Sequence, residues 1–415
     1  MSEAVLRPQV CIVGAGPAGA AASLTLSQKG IAHLVVEADH FPRHKPCGDI
    51  LTSPAIRAMN RLDPDLLEAL KAAGQVNPIW QTHTFPPNGK PITIDFLPLD
   101  GREGIPSCYS VSRWDLDLLL SKKIQSTGFA RLETGCRVVE VERKEGIFHL
   151  RSESGLRIET PMLVVATGSS PNFLRLLQIS LPKEDCAIGI RGHFRNLDWP
   201  MRETGLFLED GIMPGGLYIT PLPDQTCNVN LVLSLRHVSA ESISLRDAFQ
   251  AFTARHPELK DRFAHAERVG NFEGSMLYLG LRRHQVYGDG FLVAGDSAGL
   301  IEFFSGNGIP QAFISGQMAG QHAAAALERG RFSAIDLAPY EKALYAKIRL
   351  NPAAGKMVFP LLHRPFFKNW VLNFLDHLAA RPRTNGLLRE LMYAREPGKL
   401  LRKPGFLYDL LIRKG

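Results

Sequence analysis

The sequence predicts an α/β protein in which a dinucleotide-binding unit is interleaved with an antiparallel-sheet domain and followed by a helical C-terminal region. Three observations carry that prediction. A strand–glycine turn–helix–strand pattern opens the chain within its first forty residues. Alternating apolar and polar stretches, broken by Pro and Gly, dominate from about Leu181 to Arg283. From about Phe332 the pattern is helical and rich in Arg, Lys, Phe and Leu. The expected boundaries are 1–180 for the first part of the dinucleotide-binding domain, with an excursion near 75–110, and 181–283 for the sheet domain. Residues 284–330 return to the first domain, and 331–415 form the helical tail.

The elements follow in order. Val10 to Val13 is a short apolar run ended by glycine, read as a buried strand. Ala18 to Gln28 is small and apolar, which suits a helix packed closely on a sheet. His33 to Val36 is a second buried strand, and the three make a βαβ unit with parallel strands. Ser112 to Lys122 reads as a helix. Arg137 to Arg143 and Ile147 to Arg151 alternate like the strands of a hairpin, and Met162 to Ala166 is another buried strand. Phe291 to Ala294 returns to a buried strand, followed by a glycine-rich turn and a long helix from Pro310 to Glu328.

Composition narrows the class. The chain has 415 residues, 45% hydrophobic and 21% charged, as in an ordinary globular protein of more than one domain. The net charge of +7 suits acidic partners such as phosphate-bearing cofactors or anionic lipid headgroups. No basic run is interleaved with stacking aromatics, so nucleic acid is not expected. The six cysteines form no Cys-x-x-Cys pair, and no metal site is expected. Met1 to Gln9 is short and polar, and no apolar run reaches the roughly 18 residues of a membrane span. A cytoplasmic location follows as the expectation, with peripheral membrane contact as its variant.

Gly14-Ala15-Gly16-Pro17-Ala18-Gly19 is a G-x-G-x-x-G placed between a strand and a helix, the context that gives the motif its meaning. Gly14 permits the tight turn, Gly16 lets a pyrophosphate approach the backbone, and Gly19 lets helix and strand pack closely, with Ala18 small beside them. The helix N-terminus offers free N–H groups to the phosphates. Glu37 ends the second strand, where a carboxylate binds adenosine ribose hydroxyls. Gly295-Asp296 follows the buried strand Phe291 to Ala294, and an acid there can accept a hydrogen bond from a ribityl hydroxyl. Gly306-Asn307-Gly308-Ile309 opens the next helix, whose N-terminus would stabilise negative charge on a reduced ring system.

These segments resemble the flavoprotein oxidoreductases that share a fold with p-hydroxybenzoate hydroxylase. In these proteins a Rossmann motif and a late Gly-Asp motif hold the two ends of one FAD. The resemblance implies that Asp296 takes the ribityl role, that Gly306, Gly308 and Ile309 lie beside the pyrimidine edge of the isoalloxazine, and that Arg113 of Ser112-Arg113-Trp114-Asp115 reaches the phosphate or ribityl chain. Val165-Ala166-Thr167-Gly168 resembles the internal strand turn that packs near the adenosine.

Pro42-Arg43-His44-Lys45-Pro46-Cys47-Gly48-Asp49 narrows the resemblance to the geranylgeranyl reductase branch, where a Lys-x-Cys-Gly-rich stretch lies across the flavin. By that resemblance Cys47 and Gly48 border both flavin and substrate. Cys47 reads either as a weak donor near the reacting carbon or as a small apolar residue of a close-packed turn. The branch's Tyr-x-Trp-x-Phe-Pro stretch matches Tyr218 to Pro223 only in part: Tyr218 and Pro223 remain, while Thr220 and Leu222 replace aromatics. Phe303 stands where a proline commonly precedes the late glycine loop. The Trp-x-Trp-x-Ile-Pro signature of flavin-dependent halogenases is absent from the sequence, as is a second G-x-G-x-x-G, so NAD(P)H is expected to dock only transiently as reductant.

The expected activity is therefore reduction of a carbon–carbon double bond in an apolar isoprenoid, lipid or polyketide-like molecule, free or carrier-tethered. Cys47 and Tyr218 are the candidate catalytic residues. The alternative is a monooxygenase acting on an aromatic or polyketide substrate with NAD(P)H and oxygen. From Pro365 to Ala380 apolar residues recur at helical spacing, beside Arg364, Lys368, Arg381 and Arg383. That stripe reads as internal packing, a lid over an apolar cavity, or contact with an anionic membrane surface.

Overall fold

A computed structural model describes residues 5–303, 305–348 and 352–380. Its first layer is a six-stranded sheet in the order Tyr287–Gly288, Phe291–Val293, Leu163–Val165, Cys11–Val13, His33–Val36, Ala130–Glu133. All neighbours are parallel except the first pair. The strands are short and wholly apolar at the centre because helices cover one face and further structure the other. The expected strands lie at their expected places, and the expected helix of Ser112 to Lys122 runs as Arg113–Ser126, capped by the Ser112 hydroxyl.

The helix Pro17–Gln28 packs along the helix Ile309–Arg329 with almost no side chain between them. A Cβ on Gly316 would lie 2.0 Å from the Ala18 carbonyl oxygen, and one on Gly320 would lie 2.8 Å from that of Ala22. Gly316 and Gly320 with Ala18 and Ala22 thus bring two backbones into direct contact. The N-termini of both helices face the same cavity.

The middle of the chain forms a seven-stranded sheet in the order Glu267–Tyr278, Cys186–Arg195, Cys227–Ser234, Gly215–Pro221, Glu203–Phe207, Gln81–Phe85, Ile92–Asp95. The strands contributed by 186–278 pair antiparallel, as the alternation predicts. The last two strands come from the 75–110 segment, and Gln81–Phe85 joins by a parallel pairing with Glu203–Phe207. The period-two pattern divides this sheet's faces. Leu217, Ile219, Val229, Leu231 and Leu233 point to a core with Phe249 and Phe252 of the covering helix Leu245–Arg255. Tyr218, Thr220, Asn228 and Asn230 point the other way, toward the dinucleotide-binding domain.

The helices Pro352–Leu361 and Pro365–Ala379 follow the main body. Leu375, Leu378 and Phe374 of the second pack on Ile92 and Ile94 at the edge of the large sheet. The rest of the expected helical tail, including Arg381 and Arg383, lies outside the described residues. No helix among the described residues is long and apolar enough to cross a membrane.

Candidate active site

A cavity of about 420 Å³ runs from the first glycine turn to the start of the helix Ile309–Arg329. Gly14, Gly16, Ala18 and Glu37 line it with Arg113, Cys47, Gly48, Asp296, Gly306, Gly308 and Ile309. The structure therefore gathers the two distant motifs and the Cys47 segment around one space. Gly19 lies just behind its wall, and Tyr218 is not among the lining residues.

At one end the wall is backbone. A Cβ on Gly14 would stand 2.3 Å from the Ala166 carbonyl oxygen, and one on Gly19 would stand 1.8 Å from that of Gly14. Ala166 belongs to the Val165–Gly168 turn, so its packing role is visible directly. Glu37 is buried and accepts the Ala15 N–H at 2.8 Å through Oε2 and the Asp39 N–H at 3.3 Å through Oε1. A carboxylate oxygen has a further lone pair, which leaves capacity for ribose hydroxyls in the cavity.

Above Gly16 two guanidinium groups converge. A Cβ there would lie 3.5 Å from Arg43 Nη2 and 3.6 Å from Arg113 Nη2. Arg113 is held by Asp117, one helical turn on, with Nε and Nη2 donating at 2.9 and 2.7 Å. Arg43 reaches the same Asp117 at 3.1 Å and Glu37 at 3.6 Å, and its Nε is buried without a partner among the described residues. Lys45 donates to the Ser169 hydroxyl at 3.1 Å. Its pKa is lowered chiefly by burial, against which Asp296 pulls it up. Three cations, a free buried N–H and a helix N-terminus around a glycine fit a diphosphate.

Sequence reasoning named Arg113 but missed Arg43, Lys45 and Asp117. Asp117 had a legible signal, its i,i+4 spacing from Arg113. Arg43 and Lys45 lie in the segment read for its Cys-Gly pair, and their convergence on Gly16 depends on the fold.

At the other end, Asp296 lies where the strand Phe291–Val293 gives way to a short turn. The Gly295 N–H donates to Ser315 Oγ at 2.8 Å, which ties that turn to the helix Ile309–Arg329. Burial pushes the Asp296 carboxyl up, while Lys45 and Arg113 hold it down. A Cβ on Gly308 would meet Asp296 Oδ1 at 3.0 Å, whereas Gly48 and Gly306 face open space. Both of those last two positions line the cavity.

Cys47 joins this space to the large sheet. Its carbonyl accepts Asn228 Nδ2 at 2.8 Å, and burial pushes its thiol up, so it keeps its proton at neutral pH. The next residue but one, Asp49, is fully buried with φ 55°, a left-handed conformation uncommon outside glycine. Its Oδ2 accepts Asn228 Nδ2 at 2.6 Å and Arg191 Nη1 at 3.3 Å, and lies 3.7 Å from His193 Nε2. Arg191 also donates to Glu273 at 2.9 and 2.7 Å, and Asn230 donates to Asn228 at 2.6 Å. This network was not foreseen from the sequence. It pins the Cys47 loop to the strands Cys186–Arg195, Cys227–Ser234 and Glu267–Tyr278.

Tyr218 lies on that same sheet face, with its pKa pushed up to about 12 by burial and the Glu302 charge. Phe303 packs into a small apolar cluster with Ala187, Val232, Leu277, Leu279 and Ile301. Leu277 and Ile301 line the cavity as well, so the apolar cluster abuts it directly. No group of metal-ligating side chains occurs among the described residues.

Motifs, charges and cavity shape define the class: this is an FAD-binding oxidoreductase. Residues 8–191 match the pyridine nucleotide-disulphide oxidoreductase family. The fold is one that solved flavoproteins share. The crystal structure of a geranylgeranyl bacteriochlorophyll reductase-like protein from Thermoplasma acidophilum aligns with a TM-score of 0.79 over 98% of this chain and 99% of that one, at 19% identity. A menaquinone reductase of Mycobacterium tuberculosis is 26% identical over 331 residues, 75% of each chain. The halogenase PltM, solved in complex with FAD, aligns with a TM-score of 0.69 over 95% of this chain and 83% of that one, at 14% identity.

Proposed function

We propose that the protein reduces a carbon–carbon double bond of an apolar, isoprenoid-bearing molecule. The observation that carries this reading is the contact between the cofactor cavity and the apolar cluster of Val232, Leu277, Leu279, Ile301 and Phe303. A greasy substrate placed there would meet the open space between Gly48 and Gly306. Likeness to a menaquinone reductase in sequence and to a geranylgeranyl bacteriochlorophyll reductase-like protein in fold supports the same class.

When bound, reduced FAD supplies a hydride; with one proton the alkene gains two hydrogens and the flavin is oxidised. The chain's own residues do the rest. Arg43, Arg113 and Lys45 neutralise the diphosphate. Asp296 would hold the ribityl end, and the helix N-terminus at Gly308 would stabilise negative charge on the ring. Cys47 borders the cavity with a thiol that remains protonated, which suits it to hold the proton the second carbon needs. Transient docking of NAD(P)H is the proposed source of electrons, since the sequence has no second dinucleotide motif.

The test is anaerobic turnover of the holoprotein after chemical reduction, with a menaquinone and a polyprenyl lipid as probes. Saturated product formed without oxygen is the expected result. Product that appears only with oxygen, and carries an atom from it, would sink the reductase reading in favour of a monooxygenase.

A further inference from the structure

Eight large apolar side chains are markedly exposed among the described residues, and four of them fall within residues 357–370. Met357 and Leu361 form an i,i+4 pair on the helix Pro352–Leu361, 65% and 39% exposed. Phe366 and Trp370 form another on the helix Pro365–Ala379, 85% and 55% exposed. An exposure this concentrated marks a contact surface rather than the scattered apolar residues of any protein. Trp370 stacks between Phe367 and Phe374 at 5.7 Å from each, so the aromatic face is ordered in advance of any partner.

The surrounding charge says what the partner is. Arg364 and Arg236 are exposed beside this segment. His363 sits between the two helices, 3.2 Å from Ser234 Oγ. Burial first, and then the basic side chains of Arg236, His237 and Lys368 around it, hold its pKa down at about 4. The acids nearby are already engaged: Asp210 with Lys368 at 2.7 Å, and Asp376 with the Asn88 N–H at 3.1 Å. The chain's positive charge is also concentrated in the segment that follows. Residues 381–415 carry nine Lys and Arg against three Asp and Glu, six of the net +7.

The inner side of the same segment leads to the active site. Phe359, between Met357 and Leu361 in sequence, is buried in the cluster with Ile301 and Phe303. One short stretch therefore has exposed apolar residues on its outside and, on its inside, Phe359 in the cluster that borders the cofactor cavity.

We propose that the helices Pro352–Leu361 and Pro365–Ala379 dock this protein on an anionic lipid surface, with Phe359 lying on the route from that surface to the flavin. Apolar side chains enter the acyl boundary while arginine and lysine meet the headgroups. The purpose of the docking rests on the lipophilic substrate proposed above, but the docking itself does not. The experiment is therefore sedimentation of the full-length holoprotein with vesicles and no substrate. Vesicles of phosphatidylcholine alone are compared with vesicles that also contain phosphatidylglycerol. Binding should appear with the anionic vesicles, weaken as salt rises, and fall by about tenfold or more in Phe366→Ser/Trp370→Ser, with the flavin spectrum unchanged. Equal or absent binding to the two vesicle types, or full binding by the double variant, overturns the proposal. So does a dimer in analytical ultracentrifugation that Phe366→Ser/Trp370→Ser dissociates, because a second copy would then cover the patch. The anaerobic assay with a detergent-solubilised substrate reports on the reaction separately.

Discussion

At the diphosphate end of the cavity the wall is backbone, and at the substrate-facing end it is side chains. Around Gly14, Gly16 and Gly19 the approach distances leave no room for a methyl group on Gly14 or Gly19, and specificity comes from N–H groups and fixed charges. Around Cys47 the loop is held, at its own carbonyl and through its own Asp49, by Asn228 and Arg191, which reach across from the large sheet. The first end can bind only what every dinucleotide site binds. The second can be re-cut without disturbing the first, which is how one scaffold serves several chemistries.

The sharpest way to break this contrast is at Gly19. Gly19→Val forces the helix Pro17–Gln28 off its strand, at a cost of about 3 kcal/mol or more. The purified variant should carry no flavin, as read from its absorbance; a holoprotein with native flavin content would refute the backbone argument. Next is Asp49→Leu. It strands Arg191 beside Glu273 alone and releases Asn228, and should lower unfolding stability by about 3 kcal/mol in denaturant titration. FAD should still bind the folded fraction, because the diphosphate groups are untouched.

Asp296→Asn separates binding from stability. If Asp296 binds the ribityl chain as proposed, the change removes a charge-assisted hydrogen bond, and FAD affinity should drop by about tenfold or more in a fluorescence titration. Flavin-free protein should respond in the opposite sense. Burial holds the folded-state pKa of Asp296 above its unfolded value. The folded chain therefore binds more protons at this site than the unfolded one. The stability this group confers is fully present below the unfolded pKa and is lost as pH rises through the folded one. The asparagine variant escapes that loss, so its flavin-free form should melt higher than the parent at neutral pH. The gap should close below about pH 4, where both forms are uncharged.

A last comparison sets two candidate proton holders side by side, and the smallest expected effect is at Tyr218. Cys47 lines the cavity and Tyr218 does not. Cys47→Ala should lower kcat by about tenfold to a hundredfold with KM little changed, and Cys47→Ser should recover part of it. Tyr218→Phe should change kcat by less than about threefold, since only a group within reach of the reacting atom transfers its proton. The reverse ranking would move the proton source onto the sheet.

What the sequence revealed follows the same division. The glycine turn, Glu37, Asp296 and the Gly306–Ile309 loop were legible because each is a local pattern whose chemistry depends on its own neighbours. The large sheet was legible as alternation, though the polar network of Asn228 and Asn230 on one of its faces was not. The parallel addition of Gln81–Phe85 was not, because that pairing joins segments more than a hundred residues apart. Arg43 and Asp49 were hidden for the same reason. One lies in a turn and the other in a loop whose composition says nothing of Gly16 or Arg191. Tyr218 shows the converse: a matching tyrosine places a residue on the right face of the sheet, not at the wall of the cavity.

The contact of Ala18 and Ala22 with Gly316 and Gly320 has a consequence for which flavin is chosen. These two helices start at opposite ends of the cofactor, one under the diphosphate and one beside the ring. Their backbones meet without intervening side chains, so the gap between their N-termini behaves like the jaws of a fixed calliper. FMN, which lacks the adenylate half, would bring one phosphate to the first jaw and leave Glu37 without a ribose. Backbone contact thus sets the spacing of the jaws, and a single methyl group added at Gly316 would change it.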